Sequence, residues 1–242
     1  ESKSIALACG SHSGSKLHSR EAFKILWEYD IDINNLKCPK SKTSPLEHNC
    51  SGKHAAFLAT CKKMNWPLDS YLKGDHPLQI EIFRIVSELL EIPSSEINAE
   101  RDDCGAPTLY LKLLEMSRLY SLLSSSENAE LEQISRAMTI NPIMISDNNK
   151  FDTEIIKASH GNVIGKGGAE GIQCLCKVNE GIGLALKVED GSKRAKHAVS
   201  LHLLKQLEWI SDLRIQDIEE KVFNFPEGVR LEVKGKVKFQ ES

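Results

Sequence analysis

The first feature of the hydrophobic pattern is a short apolar run, Ser4-Ile5-Ala6-Leu7-Ala8-Cys9, of the length expected for a buried strand. Polar residues follow, and then Ala22, Phe23, Leu26 and Trp27 fall on one stripe of an amphipathic helix that Ser19 can cap. Ser51 or Asn49 can cap a second helix through Ala55, Ala56, Phe57, Leu58 and Cys61. Asp75-His76-Pro77 starts a third, through Ile80, Phe83, Ile85, Val86 and Leu89, which stops before Pro93. Pro107 opens a helix through Leu119, Leu131 to Ile140 forms another, and Asp152-Thr153 begins a short one closed by Gly161. The period then changes. Val163 to Gly165, Gly171 to Val178 and Ile182 to Val188 read as strands with glycine-rich turns. A helix spans Ser192 to Trp209, and Val229 to Phe239 alternates like an edge strand.

This pattern predicts one α+β domain over residues 1–242, with a helical central portion at about 45–160 and sheet-forming parts at 1–16 and 162–240. The length supports a substantial core. The formal net charge of −3 removes the basic footprint of a nucleic-acid or anionic-membrane binder. No apolar run approaches the roughly 18 to 20 residues that span a bilayer, and no basic-then-apolar leader opens the chain, so the expected compartment is the cytosol. The seven irregularly spaced cysteines then read as reduced thiols.

Four short segments combine reactive side chains with small residues. Cys9-Gly10-Ser11-His12-Ser13-Gly14 puts hydroxyls and an imidazole where glycines permit a tight turn; read without chemistry, it is a polar turn. It is not a G-x-S-x-G elbow, because its central residue is His12. In Asn49-Cys50-Ser51-Gly52-Lys53-His54, a thiol before a helix N-terminus with a lysine in the first turn sits where thiolate is favoured. Cys50 is then a ligand, a nucleophile, or a small buried residue at a tight helix entry. The phosphate-loop spacing is absent. Asp102-Asp103-Cys104-Gly105 offers two carboxylates and a thiol in a loop, for a cation, for a polar substrate or for solvent alone. Gly165-Lys166-Gly167-Gly168-Ala169-Glu170-Gly171 resembles the K-T-G strand of penicillin-recognising serine hydrolases; its other reading is a hairpin with a solvated lysine. Cys174 and Cys176 share a strand face as small core side chains.

Taken in order, these segments, with Asp75-His76-Pro77, Ala106-Pro107-Thr108, Arg136-Ala137-Met138, Asp152-Thr153 and Ala185 to Gly191, resemble the Rhizobium-type L-asparaginases, the thermolabile family of serine β-lactamase-like fold. The resemblance runs from Ile5 to about Lys187 and continues more weakly to Trp209. It implies a serine β-lactamase/glutaminase-like α+β fold, an antiparallel sheet flanked by helices, and hydrolysis of L-asparagine to L-aspartate and ammonia by serine and lysine pairs. Ser11 and Lys166 match the second pair. Cys50, Lys53 and Cys104 match the zinc ligands, and His54, Asp102 and Gly167 match substrate-binding positions. A homodimer is implied as well. A lysine ligand requires a lowered pKa, which burial beside a dication supplies. Backbone amides of the glycine-rich strand are expected to stabilise the oxyanion.

The family's first pair lies in an S-x-x-K helix ahead of the opening apolar run. The matches present, Ser13 to Lys16 and Ser70 to Lys73, stand in the wrong order, so the chain is expected to lack an N-terminal part. Other readings are a noncatalytic zinc- or small-ligand-binding remnant, a glutaminase, or a penicillin-recognising amidase.

Overall fold

The computed structural model describes residues 1–41, 43–223, 228 and 232–237. The opening apolar run forms a helix, α1 (Ser2–Ala8), rather than the expected strand. Four to six apolar residues cannot by themselves separate a buried strand from a buried helix. Tertiary packing decides here, because α1 buries Ala6 and Leu7 completely among the helices around it.

Helix α2 (Lys16–Glu28) begins four residues earlier than expected, because Ser15 and His18 form a reciprocal cap. Ser19 lies inside the helix, with its hydroxyl on Leu46 O. Its buried face is His18, Ala22, Ile25 and Leu26, whereas Trp27 is 75% exposed and Phe23 45%. The expected stripe was therefore rotated toward solvent. Helix α3 (Ser51–Lys63) has Cys50 at its N-cap and packs on both α1 and α2. Helix α4 (Pro77–Leu90) is capped by His76, whose Nδ1 accepts from Leu78 N, and not by Asp75. Pro77 takes the first helical position, which makes residue 76 the cap.

The helix expected from Pro107 starts later. Strands β1 (Ala99–Arg101) and β2 (Pro107–Leu109) pair antiparallel, and α5 (Leu113–Ser124) follows. Pro107 stands at the first position of β2, where the ladder tolerates a residue without an N–H, so Cys104 rides the tip of a hairpin. Helices α6 (Ala129–Ile140), α7 (Pro142–Ile145) and α8 (Phe151–Ala158) complete the central portion.

The sheet is β3 (Val163–Gly167), β4 (Ile172–Lys177) and β5 (Ile182–Lys187), antiparallel in that order. Its two faces follow the strand period of two. Ile164 and Cys176 join the core built by α1 to α4, α6 and α7, with Tyr120 of α5 against it. Val163, Leu175 and Leu184 face a second core with Phe151 and Ile155 of α8. Cys174 and Cys176 are both buried, as their spacing indicates. Helix α9 (Lys193–Gln206) supplies Leu201 and Leu204 to the second core, as does α10 (Asp212–Val222) with Ile215 and Ile218. Helix α10 was not among the elements expected from the sequence. It is tied to α8 by Lys221 Nζ at 2.8 Å from Glu154 Oε2.

The α+β class thus holds, with sheet residues confined to 99–109 and 163–187 among the described residues and none at 1–16. Of the expected edge strand Val229 to Phe239, residues 229–231 and 238–239 lie outside the described residues. Residues 232–237 form no strand, and the backbone of Val237 pairs instead with the side-chain amide of Gln206, at 2.9 and 3.1 Å. No helix among the described residues is long and apolar enough to cross a membrane.

Candidate active site

The loop after α1 carries Ser11 across the backbone of α7. A side chain at Gly10 would stand 2.5 Å from Met144 O, so only glycine lets the two chains pass this closely. Ser11 N then donates to Ile145 O at 2.8 Å, and Ser11 Oγ accepts from Asn49 Nδ2 at 3.1 Å. The same amide nitrogen lies 3.5 Å from Cys50 Sγ, linking the serine to the thiol.

Cys50 and Cys104 interact where the start of α3 faces the β1–β2 hairpin tip. The hydrogen bond from Cys104 lowers Cys50 to about 7, with burial opposing and Lys53 assisting. Cys104 is pushed up to about 12, by Cys50 first and burial second. Cys50 is therefore the thiol that ionises first. Lys53 Nζ lies 3.3 Å from Asp102 Oδ2, and Asp102 Oδ1 accepts from Cys104 N at 2.8 Å, which fixes the tip. Burial opposes the charge on Lys53, but Cys104, Cys50 and Asp102 outweigh it and hold the ammonium above the ordinary lysine value. Without a dication beside it, then, this lysine is shifted in the direction opposite to the one a ligand needs.

Across the cavity, Lys166 stands next to the last residue of β3, and its Nζ donates to Gly167 O at 2.6 Å. Three polar side chains brace Gly167. Asp152 accepts from Gly167 N at 2.9 Å and from Gln173 Nε2 at 2.8 Å. Lys196 Nζ donates to Gly168 O at 2.8 Å and Ile172 O at 3.0 Å, pinning the β3–β4 turn. Burial pulls this ammonium below the ordinary lysine value; Asp152 opposes the shift and Lys166 adds to it. Gly168 N donates to Ile172 O at 2.9 Å. Among the backbone amides near the glycine-rich strand, where an oxyanion site was expected, those of Gly167 and Gly168 are both occupied.

One cavity of about 1250 Å³ joins these groups. Ser11, Cys50, Lys53, Asp102, Cys104, Lys166 and Gly167 all line it, so residues from four separate segments converge. His54 does not line it; it is fully buried, with Nδ1 at 2.7 Å from the Tyr71 hydroxyl. From the sequence Asn49 was expected only as a cap, and Gln173 and Lys196 were not expected at the site. Nothing local marks the last two, whose partners lie 21 to 28 residues away.

A family model for L-asparaginase II matches residues 1–239. The chain belongs to the L-asparaginase II family. It is accordingly an amidohydrolase acting on asparagine. No curated protein matches the chain. In this asparaginase the four segments converge on one cavity.

Proposed function

We propose that the cavity hydrolyses the side-chain amide of L-asparagine to L-aspartate and ammonia, with Ser11 and Lys166 handling protons and Cys50, Lys53 and Cys104 as ligands of a zinc ion. The observation that carries this reading is that all five residues line the same cavity.

Hydrolysis removes a proton from the attacking oxygen and delivers one to the departing nitrogen. Because Ser11 Oγ already accepts from Asn49, its own hydrogen can be directed elsewhere. Lys166 Nζ is the group proposed to take that proton and return it to the leaving ammonia. Asp152 and Lys196 hold the strand end that carries Lys166, so its position does not depend on substrate.

Among the described residues, no group of three or more His, Cys, Asp and Glu side chains is placed to hold a metal. The proposed set instead combines two thiols with one amine, a donor type that suits zinc with an open fourth position. A buried polar atom behind it agrees: His54 Nε2 has no hydrogen-bond partner, and the His54 side chain interacts with Cys104. Bound zinc would supply a fixed positive charge at the cavity rim. Ligation requires Lys53 to leave Asp102 and lose its proton.

Free thiols at all seven cysteines support a reducing cytosol. By the family resemblance, the proposal extends to a homodimer.

Ammonia release from L-asparagine and L-glutamine by the intact protein, compared with Ser11→Ala, tests the assignment. The expected result is preference for asparagine and a fall in kcat of about 100-fold or more in the variant. Full activity in a folded Ser11→Ala would remove Ser11 from the reaction.

A further inference from the structure

Behind the cavity wall lies a buried polar chain that the reaction scheme leaves unused. Tyr71 and His54 are both fully inaccessible to solvent. The backbone N–H of Lys37 donates to the Tyr71 oxygen at 2.9 Å, and that oxygen lies 2.7 Å from His54 Nδ1. Burial raises the phenol well above the ordinary tyrosine value, so it keeps its hydrogen.

These contacts select one tautomer. If Nδ1 carried the hydrogen, the tyrosine oxygen would receive two donors, and its own hydrogen would have no acceptor in a buried site. With Nδ1 bare, Tyr71 accepts from Lys37 and donates to His54, and both are satisfied. The imidazole hydrogen is then on Nε2. That atom is buried without a hydrogen-bond partner, and the sulfur with which His54 interacts is that of Cys104. An unpaired buried donor is costly, and a thiolate is the acceptor that would relieve it. The companion sulfur already has a donor, since Asn49 Nδ2 lies 3.5 Å from Cys50 Sγ.

We propose that His54, locked as its Nε2–H tautomer by Tyr71, is a positioning residue that donates to the Cys104 thiolate in the metal-bound protein and strengthens zinc binding. The inference rests on the zinc reading above. His54 is then not a substrate contact. Groups of this kind typically change metal affinity by 10- to 100-fold.

The test is zinc affinity by chelator competition, with the Co(II)–thiolate charge-transfer band as a second readout, on the intact protein and on His54→Leu, His54→Gln and Tyr71→Phe. The expected losses are about 10- to 100-fold for His54→Leu and about 10-fold for Tyr71→Phe, with a shifted band. His54→Gln should recover part of the loss, because its terminal amide can present an N–H to Cys104. Wild-type affinity and an unshifted band in a folded His54→Leu would overturn the proposal and leave the zinc reading intact. If His54→Leu does not fold, wild-type affinity and an unshifted band in Tyr71→Phe overturn it. Failure of the wild-type protein to bind zinc, or binding indifferent to Cys104→Ala, would overturn both.

Discussion

Gly167→Ala is the most local perturbation of the bracing that holds Lys166. A methyl group there would stand 2.9 Å from Lys196 Nζ, 3.1 Å from Gln173 Oε1 and 3.4 Å from Asp152 Oδ2. Two of these approaches are too close, and the ammonium must withdraw by about 0.5 Å to reach ordinary contact. It is held by bonds of 2.8 and 3.0 Å to Gly168 O and Ile172 O, so withdrawal weakens at least one of them. Hydrogen bonds to charged groups are worth about 1.5 to 3 kcal/mol, and overpacking costs about 1 to 3 kcal/mol. The two estimates describe one displacement and should not be summed, giving a loss of about 2 kcal/mol. At this chain length that lowers the Tm by about 4 to 8 °C. Because β3 carries Lys166, kcat should also fall by about 10-fold. Gly168→Ala is the control: its methyl would meet only Ile172, at 3.3 and 3.4 Å, and should cost less than about 1 kcal/mol. Urea unfolding and ammonia release on both variants decide the matter. Equal stability loss in the two, with wild-type kcat in Gly167→Ala, would refute the bracing argument.

Other perturbations separate the parts of the site. Asp152→Asn replaces two acceptor oxygens with one, so either Gly167 N or Gln173 Nε2 faces a donor; urea melts should show a loss of about 1 to 3 kcal/mol, and an unchanged midpoint would contradict the assigned bonds. Asn49 is exposed, so Asn49→Ala should change stability by less than about 0.5 kcal/mol while lowering kcat severalfold through the freed Ser11 hydroxyl, as steady-state ammonia assays would show. His197 stacks on Phe151 at 4.0 Å between centroids, and burial, then Lys196, lowers it to about 4 from 6.5. The unfolded chain therefore binds the extra proton between these values; this contribution to stability is complete above pH 6.5 and is lost as pH falls to about 4, by up to about 3 kcal/mol. Unfolding titrations of His197→Phe should lack that component, and identical pH profiles for the two proteins would count against it.

The chemistry-bearing loops were legible because glycines and reactive residues cluster in them, and strands β3 to β5 because their period and their turns agree. What escaped depends on distance in sequence. The run that forms α1 is too short to declare its period, and the β1–β2 hairpin is made by pairing across Cys104 rather than by strand propensity. Helix α2 turned its aromatic residues outward because Ile25, which the expected stripe omitted, faces inward. The burial of His54 had a local sign: successive helical residues point about 100° apart, so Lys53 and His54 cannot both face one cavity. The Asp152, Gln173 and Lys196 cluster had no such sign, since three elements supply one residue each.

Ammonia release from L-asparagine by Lys166→Met in the intact protein tests the central claim most directly, with thermal melting to show that the fold persists. The account predicts a well-folded variant whose kcat falls by about 100-fold or more. A folded Lys166→Met that turns over asparagine at the wild-type rate would contradict it.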